Sequence, residues 1–257
     1  PDSFTDGGKF LDHNTAVNHA MNMIADGADI IDIGGESTRP FSDSVSEEEE
    51  LSRVISVIQK LREKTDTVIS IDTTKSSVAD NACNVGANIV NDISALSFDN
   101  NMIDVINKHD CSVILMHIAG NPKIMQENPS YDNIISDIAN HLLDRANFAL
   151  KNGVKKHNII LDPGIGFGKT IDNNFTIIDN MDKFINLGYP VLIGASRKSF
   201  IGKTLDVDEN NRIEGTIASN VVALERGCKI FRVHDIKETK RALTIANKIF
   251  NSNALNT

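Results

Sequence analysis

The sequence predicts an α/β fold of the (β/α)8 TIM-barrel type, with the first strand missing from the recorded chain. Short runs of consecutive apolar residues, rich in Ile and Val, alternate with longer stretches of helical periodicity. This pattern is typical of parallel strands that are buried on both faces and joined by helices. The length of 257 residues also lies near the ~250 residues of a typical barrel. We therefore expect a single domain over residues 1–257.

Seven apolar runs are predicted to be strands. They lie at residues 28–34, 68–73, 87–93, 112–118, 159–162, 190–194 and 229–234. Each run is followed by a predicted helix, and one further helix, near residues 14–26, precedes the first run. A barrel without its first strand has this order of elements. An open doubly wound sheet is the alternative, but polar residues at the end of every strand favour the barrel.

Helical periodicity marks the connections between the runs. Ser46 and Glu49 have the spacing of a capping box, and an apolar stripe follows at residues 51–61. Further stripes, which predict helices, lie near residues 134–146, 175–185, 213–224 and 237–250.

Composition narrows the classes of function. The net charge of −9 argues against nucleic-acid binding, although a local cluster of Lys and Arg is compatible with an anionic substrate. No apolar run approaches the ~20 residues of a membrane span. The three cysteines, Cys83, Cys111 and Cys228, are far apart in the sequence and form no CxxC pair. They indicate reduced thiols in a cytoplasmic protein, rather than a disulfide framework or a zinc site.

Polar residues end each predicted strand, where the substrates of barrel enzymes bind. Asp72, Asn91 and Asp162 can together accept and donate hydrogen bonds to a flat ring that carries amino and oxo groups. Lys198 and Arg232 are able to pair with the two aspartates or to contact that ring. Because buried charges are costly unless they are paired or bind a ligand, we interpret this set as a ligand site.

A second group of residues suits an anion such as phosphate. Its members are Thr38, Arg39, Arg232 and His234. Arginine binds phosphate in a bidentate manner, and the loop after the last strand is a frequent phosphate site in barrels. The alternative for His234 is a buried structural histidine.

Taken together, these segments resemble the dihydropteroate synthases, folate-pathway enzymes of the pterin-binding family. The matching strings are PDSFTDGG (1–8), GGESTRP (34–40), IDTTK (71–75), NDI (91–93), LMHIAGNPKIMQ (115–126), LDPGIGFGK (161–169), GASRKSFIG (194–202) and RVHD (232–235). They occur in the order of the family and cover nearly the whole chain.

The resemblance implies a reaction and a set of site residues. The reaction joins 6-hydroxymethyl-7,8-dihydropterin pyrophosphate to p-aminobenzoate. The implied catalytic residues are Asp72, Lys198 and Arg232. The implied pterin-binding residues are Asp72, Asn91, Met116, Asp162, Gly194, Lys198 and Arg232. The implied pyrophosphate ligands are Thr38, Arg39, Arg232 and His234. The implied p-aminobenzoate pocket, where sulfonamides compete, contains Thr38, Pro40, Phe167, Ser196 and Lys198.

The resemblance also implies a cofactor and partners. Mg²⁺ is expected, but its Asn ligand would lie upstream of Pro1, so no metal ligand is predicted within this chain. The missing first strand is expected upstream as well, in a short segment or in a fused folate-pathway domain. A homodimer built on the late helices is expected. Two alternatives remain open: a pterin-binding methyltransferase module, which handles no pyrophosphate, and a non-catalytic pterin-binding subunit.

Overall fold

Parallel strands follow one another around an arc in chain order. In the computed structural model, residues 12–38, 44–120, 122, 125–126 and 129–252 are described. The strands are β1 (Ile30–Gly34), β2 (Val68–Asp72), β3 (Ile89–Asp92), β4 (Ser112–Met116), β5 (Ile159–Asp162), β6 (Leu192–Ile193) and β7 (Ile230–Phe231). Strands β1 to β5 form one sheet and β6 pairs with β7, while a parallel bridge between Leu161 and Val191 joins the two sets.

Helices connect all successive strands and cover the outside of the arc. They are α1 (His13–Ala25), α2 (Glu47–Arg62), α3 (Ser76–Asn84), α4 (Met102–His109), α5 (Ile134–Lys151), α6 (Ile171–Asp179), α7 (Met181–Ile185), α8 (Ser199–Leu205), α9 (Ile213–Glu225) and α10 (Ile236–Phe250). One helix precedes β1 and at least one follows each strand, as the sequence predicts. Within the ranges given above, no helix has the length and apolar character that crossing a membrane requires.

The strands are apolar on both sides because both sides are buried. Successive side chains of a strand point to opposite faces. The residues that face the helices, such as Ile69, Ile71 and Leu161, belong to the main hydrophobic core. The residues that face the barrel interior form a separate apolar layer, which consists of Ile89, Ile114, Ile160, Leu192 and Ile230.

Local sequence signals set the ends of the helices. The Ser46 hydroxyl caps α2 by accepting a hydrogen bond of 3.2 Å from the Glu49 N–H, and four glutamates in the first turn favour the positive end of the helix dipole. The periodicity near residues 175–185 predicts one helix, but the structure has two, α6 and α7. The break lies at Asn180, whose φ of −106° and ψ of 27° depart from helical values.

Phe184→Ala is expected to lower the free energy of unfolding by about 3–5 kcal/mol, because it leaves a cavity in the core. Phe184, in α7, is fully buried, whereas Phe98, before α4, is 48% exposed. The matched change Phe98→Ala is expected to change the free energy of unfolding by only about 0.5 kcal/mol. Urea unfolding of both variants measures the difference, and equal losses would contradict this packing.

Candidate active site

The last inward-facing residues of five strands lie at the carboxyl-terminal end of the barrel. Two residues beyond the inner apolar layer, the inward positions are Asn91, Met116, Asp162, Gly194 and Arg232. The strand register places Asp72 beside Asn91 and Met116 beside Asp162. Strand alternation therefore brings the predicted ring-binding residues together at the carboxyl ends of the strands.

Arg232 lies between two carboxylates. Its Nε donates to Asp32 Oδ2 over 2.6 Å, and its Nη2 donates to Asp72 Oδ2 over 3.4 Å. The Asn91 side-chain amide also donates to Asp32 Oδ2, over 3.4 Å. The other oxygen of Asp32, Oδ1, is buried and has no hydrogen-bond partner among the described residues. Asp32 is not among the site residues predicted from the sequence, because it lies inside an apolar run and not at its end.

The Asp72 carboxyl is divided between its neutral and ionised forms near pH 7. Burial, and then the negative charge of Asp32, raise the pKa of Asp72 to about 7, against the opposing effect of Arg232. A positive charge placed next to Asp72 would favour its ionised form. The carboxyl is thus suited to a ligand that brings or develops a positive charge.

Lys198 links the loops that follow β5 and β6. Its Nζ donates to the Ile165 carbonyl and lies 4.4 Å from the centroid of the Phe167 ring. Burial lowers the pKa of Lys198 to about 7, and the charge of Asp162 opposes this shift. Burial likewise raises the pKa of Asp162, opposed by a hydrogen bond of 2.7 Å from the Gly164 N–H and by the charge of Lys198.

The loop after β5 packs closely against its neighbours. Gly164 and Gly166 have φ values of +70° and +82°, which residues with a Cβ atom rarely adopt. A Cβ atom on Gly164 would lie 2.0 Å from the His117 carbonyl oxygen, and one on Gly166 would lie 3.0 Å from Lys198 Cδ. Both positions require glycine, so the loop has a fixed path past the ring-binding residues.

Behind the loop that follows β5, the side chains of Lys169 and His117 form a buried pair. Lys169 Nζ donates to the Phe167 carbonyl over 2.8 Å and lies 3.0 Å from His117 Nδ1. Burial, and then the charge of Lys169, lower the pKa of His117 to about 2, so its ring is neutral near pH 7. Lys169 is likewise not among the predicted site residues, although it fixes the backbone that carries Phe167.

The predicted anion-binding residues lie partly within the described chain. His234 Nδ1 lies 2.9 Å from Ser196 Oγ, and the His234 N–H donates to the same oxygen over 3.2 Å. Thr38 lines the cavity that also contains Ser196 and His234. Near it, Glu36 pairs with Lys75, which ties the loop after β1 to the loop after β2. Arg39 and Pro40 lie outside the described residues.

One cavity of about 1540 Å³ brings these groups together. Among the predicted site residues, its wall contains Thr38, Asp72, Asn91, Phe167, Gly194, Ser196, Lys198, Arg232 and His234, and Asp32 lines it too. Met116 and Asp162 are buried, and Met116 packs in a cluster with Phe167. In the part of the chain that the structure describes, no group of three His, Cys, Asp or Glu side chains is arranged to hold a metal ion.

This chain belongs to the family of pterin-binding enzymes, whose model matches residues 1–234. A relative, the dihydropteroate synthase of Clostridium beijerinckii, is 47% identical over 250 residues, which cover 97% of this chain and 90% of the relative.

Solved structures of dihydropteroate synthases have the same fold as this chain. The dihydropteroate synthase of Yersinia pestis, in complex with a sulfonamide drug, superposes with a TM-score of 0.94 at 38% identity and covers 98% of this chain and 91% of its own. The enzyme of Clostridium difficile, solved in the presence of pteroic acid, has a TM-score of 0.88 at 44% identity, with coverages of 96% and 91%. The predicted TIM-barrel class is therefore confirmed.

Asp72→Asn is expected to raise the thermal unfolding temperature, and to raise it more at pH 8 than at pH 5. The pKa of Asp72 in the folded chain is about 7, above its ordinary value of 3.8. The folded state therefore binds more protons between these values, and stability falls as the pH rises through this window. Asn resembles the protonated acid and removes that loss.

Differential scanning fluorimetry at both pH values measures the effect on Asp72. Asp29→Asn, which removes an exposed carboxylate just before β1, is the control. An equal pH dependence of the two variants would contradict the environment assigned to Asp72.

Proposed function

We propose that this chain catalyses the dihydropteroate synthase reaction. It would join 6-hydroxymethyl-7,8-dihydropterin pyrophosphate to p-aminobenzoate and release 7,8-dihydropteroate and pyrophosphate, a transfer of an alkyl group to an aryl amine. The main support is the layer of carboxylate, amide and cationic groups at the strand ends, in a chain of the pterin-binding family. The relatives named above carry this activity in their names.

The pterin ring is assigned to the inward layer of the barrel. Asp72 and Asp162 accept hydrogen bonds from the ring amino and N–H groups, while Asn91 can both donate and accept. Lys198 contacts ring acceptors, and Arg232 packs beside the ring. Met116 and Gly194 complete the walls, one with an apolar side chain and the other with an open surface.

The other two substrate groups are assigned to the rim. The pyrophosphate would bind Thr38, Arg39, Arg232 and His234. The p-aminobenzoate would bind among Thr38, Pro40, Phe167, Ser196 and Lys198, and sulfonamides would compete for this pocket. The hydrogen bond between Ser196 and His234 supports the contiguity of the two pockets, since it joins one residue of each set.

The chemistry follows from these positions. The C–O bond between the pterin methylene carbon and pyrophosphate breaks, and the ring nitrogens share the positive charge. Asp72 stabilises that charge, which in turn favours its ionised form. Arg232 and His234 stabilise the departing anion. The neutral aniline nitrogen then forms the new C–N bond and releases one proton, so it needs orientation more than activation.

Three further inferences accompany this function. Mg²⁺ is proposed from the family resemblance alone; the described residues do not form a site that fits it, and no step is assigned to it. A cytoplasmic location is proposed, supported by three free thiols. Organisation as one domain over residues 1–257 and a fused upstream folate-pathway domain remain predictions.

Asp72→Ala or Arg232→Ala is expected to lower turnover by about 100-fold or more, the scale of losing one transition-state stabiliser. Coupled assays of pyrophosphate release, with and without p-aminobenzoate, measure this loss, and Asp29→Asn is the control. Near-normal rates in both alanine variants would refute the assigned roles. Methyl transfer from methyltetrahydrofolate without pyrophosphate release would instead support the methyltransferase module, and pterin binding without turnover the non-catalytic subunit.

A homodimer is proposed on the last helix. Ile245 and Ile249 of α10 are 63% and 62% exposed, and Phe250 is 40% exposed, an apolar patch of the kind that marks interfaces. The double change Ile245→Glu, Ile249→Glu is expected to convert a dimer into a monomer in sedimentation velocity. Phe98→Glu, at an exposed residue before α4, is expected to leave the dimer intact. A monomeric wild-type protein would overturn this proposal.

A further inference from the structure

Asp32 is the carboxylate closest to Arg232, and the function proposed above gives it no role. The guanidinium Nε lies 2.6 Å from Asp32 Oδ2, but Nη2 lies 3.4 Å from Asp72 Oδ2. The first distance is that of a strong charge-assisted hydrogen bond, and the second exceeds the usual range for one. Arg232 is therefore held mainly by Asp32.

We propose that Asp32 is a positioning residue that binds the Arg232 guanidinium and thereby keeps the Asp72 carboxylate available to the pterin ring. This inference rests on the function proposed above. Because Asp32 occupies Nε, the remaining N–H groups of the guanidinium are left for Asp72 and for the departing pyrophosphate. Without Asp32, the guanidinium would pair more closely with Asp72, and the ring would lose its carboxylate partner.

The charges in this layer agree with such a role. Asp32 and Asp72 together carry one more negative charge than Arg232 can neutralise when both are ionised. Among the described residues, the buried Oδ1 of Asp32 has no hydrogen-bond partner, and its charge adds negative potential beside the place where the pterin becomes cationic. The charge of Asp32 is also the largest cause that raises the pKa of Arg232.

The conformation of β1 fixes Asp32 in this position. The strand register places Asp32 beside Ser70 and Gly34 beside Asp72, so Asp32 lies one inward layer below Asp72. From that layer the carboxylate can reach the side of the guanidinium while the ligand occupies its front. A strand residue of this kind is held more rigidly than a loop residue.

A double-mutant cycle tests the role. Asp32→Asn, which keeps the shape and removes the charge, is expected to lower kcat/KM for the pterin pyrophosphate by about 30-fold, because Arg232 loses its shorter charge-assisted hydrogen bond. The KM for p-aminobenzoate is expected to change by less than about twofold, since Asp32 acts on the pterin side. In an Arg232→Met background, Asp32→Asn is expected to have almost no further effect, because its partner is already absent.

Two comparisons make the outcome decisive. Asp32→Glu retains the charge and is expected to keep more activity than Asp32→Asn; the reverse order would overturn the role, as would additive losses in the cycle. Asp29→Asn removes an exposed carboxylate just before the same strand and is expected to leave kcat/KM unchanged. Circular dichroism checks the folding of each variant. A wild-type protein that releases no pyrophosphate overturns the proposed function itself, whereas an active wild type with a fully active Asp32→Asn variant overturns only the role of Asp32.

Discussion

The two-residue period of parallel strands determines how this molecule is organised. In five strands, an inward apolar residue is followed two positions later by an inward residue of the candidate site; Ile89 precedes Asn91 and Ile230 precedes Arg232 in this way. The apolar layer and the layer of site residues both line the cavity. A shift of one residue in any strand would turn a site residue outward, toward the helices.

Burial then gives the layer its electrostatic character. Charges removed from water are costly, and each charged group here is either paired or shifted toward its neutral form. Arg232 is paired between Asp32 and Asp72, whereas Asp72 and Lys198 both have a pKa moved to about 7. Before a ligand binds, the charges of the site are therefore largely neutralised. A cationic ring or an anionic leaving group can change the protonation states of Asp72 and Lys198 at a small cost in free energy.

Much of this arrangement could be predicted from the sequence, because parallel strands leave an apolar signature and end in polar residues. The apolar runs predicted the seven strands, but they overestimated the lengths of β6 and β7, each of which has only two residues in the strand. The run that contains Asp32 correctly predicted a buried strand, but the role of Asp32 within it was not predicted. Its partner, Arg232, lies 200 residues later in the chain and leaves no local signal in the sequence. The break at Asn180 depends on the backbone conformation of a single residue, which apolar periodicity does not register. The roles of the individual site residues stay predictions.

The glycines of the loop after β5 have a consequence for the evolution of drug resistance. At Gly164, any side chain would collide with the backbone oxygen of His117, and the left-handed conformation adds strain to the substitution. Resistance by point mutation works when a pocket can change its shape and still fold. Few substitutions in this loop are compatible with folding, so an inhibitor that contacted its backbone would be hard to escape by point mutation. An inhibitor that depended on exposed side chains at the rim would be easier to escape, because those side chains can be replaced.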